Sequence, residues 1–139
     1  DRLLARVDAI PPSLILAQAA KESGWGSSRF ARQGNNLFGM RCYTPGCGIV
    51  PKRRPSGQTW EVAAYRSALE SIRAYIQNLN TNNAYRELRR IRSAARQRGD
   101  PIRGPQLAQG LSRYSERGFA YVDDILSMIR SNRLTRLDG

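Results

Sequence analysis

The chain has 139 residues, enough for one buried core and too few for two independent ones. Its 40% hydrophobic and 24% charged content is that of a folded protein rather than a disordered one, and no apolar run approaches the roughly 18 residues that a bilayer span needs. Lys and Arg number 23 against 11 Asp and Glu, a net charge of +12 carried almost wholly by Arg; this implies an anionic partner, and nucleic acid, an anionic membrane and an acidic cell-wall polymer fit that field equally.

Taken in chain order, Leu3, Leu4, Val7 and Ile10 repeat at helical spacing, and Pro11-Pro12 ends that predicted helix. A second helix begins near Pro12, where a first-turn proline is tolerated, and runs through LILAQAAKE to about Ser23. Gly24 and Gly26 break it. A short helical turn through SSRFARQ leads into NNLFGMR, and residues 42 to 64 then lose helical periodicity while gaining Pro and Gly, as a β or loop lobe would. Ser67-Ala68-Leu69-Glu70 has the capping-box pattern, followed by an apolar stripe of Leu69, Ile72, Tyr75, Ile76 and Leu79. Asn80 to Asn83 make a turn, and a helix over Ala84 to about Arg98 ends at Gly99-Asp100-Pro101. Two more helices, roughly 105 to 112 and 119 to 132, are joined by RYSERG. The arginines of YRELRRIRSAARQR have no aromatic ladder beside them, which favours the solvated face of a helix over a nucleic-acid surface. There is no internal repeat. The expectation is a single, mainly α domain over 1–139 with a small lobe at 42–64 and a substrate cleft beside it. The chain opens on Asp1 and not on Met, so the absence of a leader says nothing about compartment.

Cys42 and Cys47 flank a Tyr-Thr-Pro-Gly turn and allow a small disulfide loop or two reduced thiols; a disulfide implies an oxidising compartment such as the periplasm. With no His and two Cys, the chain cannot assemble a tetrahedral zinc site alone, so no metal and no cofactor are expected.

Without His, acid–base chemistry falls to carboxylates, Tyr, Lys or Cys. Most carboxylates have a structural reason: Glu70 in the capping box, Glu87 facing Arg90 at i+3, Asp123 and Asp124 in the first turn of the last helix, and Asp8, Asp100 and Asp138 at a polar helix position, a turn and a terminus. Glu22, Glu61 and Glu116 remain. Glu22 lies one turn after Gln18 and Ala19 and two after Leu14 and Ile15, beside the buried face, where its helix ends. Both the burial and the negative end of the helix dipole disfavour the charged form, as a general acid requires. Gly24 and Gly26 would let a polymer approach, and Trp25 offers a flat face for a sugar. The other reading makes Glu22 an exposed helix-end residue paired with Lys21 or Arg29, and Trp25 part of the core.

AQAAKESGWGSSRFA followed by NNLFGMR resembles the signature of bacterial cell-wall N-acetylglucosaminidases, glycoside hydrolase family 73. VAAYRSALESIRAYIQNL, NNAYREL and GLSRYSERGFAYVDDILSMI are similar to that family's later segments in the same order, and CYTPGCGIVPKRRPSGQTWEVAAY resembles its Bax-type branch. The resemblance implies a lysozyme-like helical fold and cleavage of the β-1,4 bond after N-acetylglucosamine in peptidoglycan. It implies Glu22 as the catalytic acid, Tyr114 as the cleft tyrosine, Tyr85 as the aromatic opening the helix after the lobe, and Asn36, Leu37, Phe38 and Gly39 as the turn beside the cleft, with Ser23 and Trp25 joining them in substrate binding. A second Glu carried by many members in the lobe is replaced here by Arg53 and Arg54, which could hold stem-peptide carboxylates. Glu61 is the nearest substitute base, or else a strand residue paired with Arg66 or Arg54. The 2-acetamido group of the substrate is the other route. Expected partners are peptidoglycan glycan strands, with no specific nucleic acid, and the protein is expected to be a monomer, periplasmic or in the cell envelope or secreted. The rivals are a lytic transglycosylase and an inactive wall-binding or nucleic-acid module.

Overall fold

In the computed structural model, which describes residues 2–139, most of the chain is helical. Pro11 and Pro12 start the first long helix rather than merely ending one before it: the Pro11 carbonyl accepts from Leu14 N at 3.1 Å and Ile15 N at 3.2 Å, opening α1 (Pro12–Ser23). There follow α2 (Arg29–Gly34), β1 (Arg41–Cys42), β2 (Gly48–Ile49), β3 (Glu61–Ala63), α3 (Ala68–Thr81), α4 (Arg86–Arg98), α5 (Gly104–Ala108) and α6 (Phe119–Ser131). Short 3₁₀ turns occupy Leu4–Arg6, Asn83–Tyr85 and Leu134–Asp138.

The chain divides into two compact units, residues 1–18 with 76–139 and residues 19–75. In the first, Leu14, Leu79, Leu88, Leu107, Leu111 and Ile125 are fully buried, each burial worth roughly 1.5–3 kcal/mol. The close approach of α4 explains Gly110, where an added Cβ would lie 2.4 Å from the backbone of Leu88. The second unit holds the small sheet, antiparallel in the order β1-β3-β2, with Cys42 opposite Glu61 and Gly48 opposite Ala63. A Cβ at Gly48 would sit 2.0 Å from the Val62 carbonyl, so only glycine lets β2 come this close. Cys42 and Cys47 form a disulfide, their Cα atoms 6.3 Å apart.

Four expectations change. The predicted helix over residues 3–10 shrinks to the 3₁₀ turn Leu4–Arg6, and Leu3, Leu4 and Val7 are exposed while Ile10 is buried. Pro11 disfavours helical backbone at Ile10, the residue before it, so a helix cannot run up to the proline pair. The predicted helix over 105–112 ends at Ala108. Asp123 and Asp124 fall in the second turn of α6, which starts at Phe119, and Asp124 pairs with Arg117. The arginines of α4 are not all on a solvated face: Arg89 is 8% exposed and Arg92 0%. Arg92 donates to the carbonyls of Ala5 (2.6 Å), Asp8 (3.2 Å) and Ala9 (3.1 Å) and to Asn80 Oδ1 (2.7 Å), tying the N-terminal segment to α4.

The capping box is present. Ser67 Oγ accepts from Glu70 N at 3.2 Å, and the Glu70 carboxylate reaches back to Arg66 N at 3.0 Å. Glu87 pairs with Arg90 as expected.

Candidate active site

Glu22 is the penultimate residue of α1 and is half-buried. Leu14 and Gln18, two turns and one turn earlier, are 0% exposed, so the helix carries this carboxylate along its buried edge. The helix is then stopped abruptly. Gly24, Trp25 and Gly26 all have positive φ (57°, 57° and 82°), and Trp25 N donates to the Ala20 carbonyl at 2.9 Å. Ser23, 2% exposed, spends its hydroxyl within this turn: it donates to the Ala19 carbonyl at 2.5 Å and accepts from Gly26 N at 2.8 Å. Trp25 is 70% exposed, which removes the reading of it as core. A tryptophan at positive φ costs on the order of 1–3 kcal/mol, and its indole recovers nothing by burial. Arg29, one candidate partner of Glu22, sends its guanidinium to the Val50 carbonyl at 3.1 Å.

The NNLFG turn reaches the same carboxylate from below. Asn36, 2% exposed, is fully used by backbone: Nδ2 donates to the carbonyls of Met40 and Ala63, both at 2.9 Å, and Oδ1 accepts from Phe38 N and Met40 N. Phe38 is buried and stacks on Tyr75 with ring centroids 4.0 Å apart. These side chains hold the turn in shape and contribute through it. The turn presents Gly39, at φ 68°, where an added Cβ would stand 3.1 Å from Glu22 Oε2. Only a glycine leaves that side of the carboxylate uncovered.

Glu61 has a different environment. It is 7% exposed on the central strand, and its two oxygens accept from Gly46 N at 3.0 Å and Gly48 N at 2.9 Å. These bonds, with the nearby charge of Arg54, hold its carboxyl below the usual range. It is therefore a strand residue bound to the disulfide loop. Neither Arg66 nor Arg54 makes a direct ion pair with it among the described residues. Arg54 donates to the Trp60 carbonyl at 3.1 Å, Arg41 lies over the Trp60 ring at 3.9 Å, and Arg53 is exposed. Glu116 is exposed in the turn before α6.

In the other unit, Tyr114 is half-buried between Tyr85 (centroids 5.9 Å, tilted) and Tyr121 (5.6 Å, stacked). Gln18 Nε2 donates to the Tyr121 hydroxyl at 3.0 Å, which anchors this row to α1. Burial raises the Tyr85 phenol above its ordinary range. The supporting role of Gln18 was readable only as a polar residue on an otherwise apolar helix face. A cavity of about 480 Å³ opens elsewhere, lined by Leu4, Val7, Asp8 and Arg96, and Glu22 does not line it. Among the described residues no cluster of His, Cys, Asp and Glu could hold a metal ion.

Residues 2–134 match the profile of the glucosaminidase family, described as mannosyl-glycoprotein endo-beta-N-acetylglucosaminidase. Among curated relatives, the chain is 37% identical to Protein bax of Escherichia coli K12 over 133 residues, 96% of this chain and 47% of that protein. It is 33% identical to the peptidoglycan hydrolase FlgJ of Salmonella typhimurium LT2 over 96 residues, 60% of this chain and 30% of that protein. The chain thus spans about half the length of the first relative and a third of the second. The crystal structure of the catalytic domain of the autolysin Auto from Listeria monocytogenes shares the fold, with a TM-score of 0.66 at 24% identity over 92% of this chain and 75% of that one. The mainly α, lysozyme-like architecture with a small antiparallel sheet is as the sequence implied.

Proposed function

Because the chain belongs to the glucosaminidase family of glycoside hydrolases, we propose that it hydrolyses the β-1,4 bond after N-acetylglucosamine in peptidoglycan, with Glu22 as general acid. The observation that carries this reading is the seat of Glu22: half-buried at the end of α1, with the bare backbone of Gly39 beside its Oε2. Such a carboxyl can be reached by a glycosidic oxygen on its Gly39 side, which is the placement that proton donation to a leaving oxygen needs.

Glu22 gives its proton to the leaving oxygen as positive charge develops at the anomeric carbon. The engagement of both Glu61 oxygens with backbone N–H groups supports substrate assistance over a second protein carboxylate. In that route the acetamido oxygen bonds to the anomeric carbon as the glycosidic bond breaks, and water then opens the ring so formed, returning a proton to Glu22. Tyr114, matched to the family's tyrosine, would steady the acetamido group, and exposed Trp25 would carry a sugar ring on its face. The disulfide and the family assignment support an extracytoplasmic site of action, in the periplasm or cell envelope. A monomer suffices for this chemistry.

The test is digestion of purified peptidoglycan by the wild type and Glu22→Gln, with mass analysis of the new ends. The wild type should release reducing N-acetylglucosamine termini and the variant at least a hundredfold fewer, since a general acid contributes ~100- to 10,000-fold. Anhydro-muramic ends would replace hydrolysis by transglycosylation, and equal activity would remove Glu22 from the mechanism.

A further inference from the structure

A second feature lies within the unit formed by residues 1–18 and 76–139. A pocket of about 390 Å³ is lined by Arg2, Arg6, Arg86, Arg89 and Arg90, with Ala5, Asn83 and Ser93 completing its wall, and among the described residues no carboxylate lines it. Five arginines line so small a volume, and like charges gathered around one pocket repel one another unless an anion shares the space. The molecule relieves that repulsion only in part: Arg90 is paired with Glu87, and Arg89 and Arg6 meet neutral carbonyls. Arg89 is 8% exposed, and one of its Nη atoms donates to the carbonyls of Leu79 and Asn82, both at 2.9 Å. Arg6 donates to the Thr81 carbonyl at 3.1 Å. These two are fixed in place by the end of α3, whereas the guanidinium groups of Arg2 and Arg86 make no hydrogen bond or ion pair with the described residues. Burial, and then the charges of Arg6 and Arg86, hold the Arg89 guanidinium below its ordinary pKa. Arg90 alone has a carboxylate partner, Glu87, at i+3 on the exposed side.

From this geometry we propose that the pocket binds a phosphate group carrying at least two negative charges, borne by an envelope lipid or by a soluble phosphorylated molecule. Planar guanidinium forks match the several equivalent oxygens of a phosphate in a way that a single carboxylate, with two oxygens and one charge, cannot use. The volume suits one or two phosphate groups. It does not suit an extended duplex, which would need a basic stripe.

Sodium pyrophosphate is the probe, titrated calorimetrically at about 50 mM salt, beside citrate as a carboxylate of comparable charge. Saturable one-to-one binding of pyrophosphate is expected, at least ten times tighter than that of citrate. The double variant Arg2→Gln/Arg86→Gln, which breaks no described contact, should bind at least ten times more weakly, and Arg130→Gln on α6 should bind as the wild type does. No saturable heat up to 10 mM pyrophosphate, on the order of a 3 kcal/mol floor, overturns the proposal, as does equal affinity in the double variant. Vesicles containing phosphatidic acid, a lipid phosphomonoester able to carry the second charge, distinguish the sources: retention that pyrophosphate displaces and the double variant loses assigns a lipid headgroup, and pyrophosphate binding without vesicle retention assigns a soluble phosphate. Vesicle retention that survives both would leave only the general positive field and overturn the site. Duplex DNA binding lost in the double variant, with no pyrophosphate binding, would overturn it in favour of a nucleic-acid surface.

Discussion

Trp25 is where local energetics and proposed function oppose each other. Its backbone sits at φ 57° between two glycines that adopt the same region, and its ring is 70% exposed. Glycine at position 25 would relax the backbone without removing packing, so Trp25→Gly should hold or raise folding stability, by no more than about 1 kcal/mol. The same change should raise KM for glycan at least fivefold with a smaller change in kcat. A variant that loses stability while keeping its KM would show that the indole serves the fold instead. Glu61 is the opposite case, a carboxylate bound by structure. Its carboxyl is held below the ordinary value by the N–H groups of Gly46 and Gly48 and by Arg54. The linkage sign follows: the stabilisation is complete above the unfolded-state pKa and is lost as pH falls through the lowered folded-state value. Glu61→Gln should therefore be less stable than the wild type at pH 7, and the gap in urea midpoint should close towards pH 3. Its kcat at neutral pH should stay within tenfold; a hundredfold fall in kcat without a change in midpoint would make Glu61 the catalytic base. At this scale the sequence marked a motif and did not resolve what each of its side chains does. Asn36, Phe38 and Ser23 stand in the same motif as Glu22, yet their side chains are spent on backbone and core. A motif does not say which way a side chain points.

Helix ends carry the next level of the argument. Asp138, which in the sequence is only an acidic residue near the terminus, accepts from Ser13 N at 2.9 Å, Ser13 Oγ at 2.6 Å and Gly104 N at 2.9 Å. One carboxylate thus satisfies donors in the first turns of both α1 and α5. The packing there is tight, since a Cβ at Gly104 would stand 1.9 Å from Ser13 Oγ. Ser13 is 0% exposed, so these donors have no access to water if the carboxylate goes. Asp138→Ala should cost about 2 kcal/mol, lowering Tm by roughly 5–10 °C in a thermal melt, and Asp138→Asn should recover part of the loss. A fall below about 1 °C for the alanine variant would show that the two helices cap themselves. The periodicity of α1, α3, α4 and α6 was legible because each carries an apolar stripe with a cap or breaker at its ends. The residues that tie those helices together, Asp138 and Arg92, were not, because their partners lie 125 and more than 80 positions away and no local pattern records them.

Over the whole molecule, the +12 charge divides into structural and available parts. Arg89 and Arg92 spend their donors on carbonyls, Arg96 on Asp8 and Arg98 on Asp100, so the net charge stands at +12 while fewer guanidinium groups are free to grip an anion than the number of Arg suggests. What composition did indicate, through two cysteines in a lobe poor in regular structure, is how the smaller unit is stabilised. Its sheet has strands of two, two and three residues, too few ladder bonds to stand alone. The disulfide closes a separation of five residues, which in the chain-entropy account contributes about 2 kcal/mol. It also preforms the loop whose N–H groups hold Glu61. The double change Cys42→Ser/Cys47→Ser should therefore act locally. In native-state hydrogen exchange, the amides of Gly46, Gly48 and Ala63 should lose on the order of thirtyfold in protection, the equivalent of that 2 kcal/mol. The amides of α4 and α6, which lie in the other unit, should change less than threefold. An equal loss in both units would mean that the chain opens as one cooperative body, and that the disulfide stabilises all of it rather than the lobe that carries Glu61.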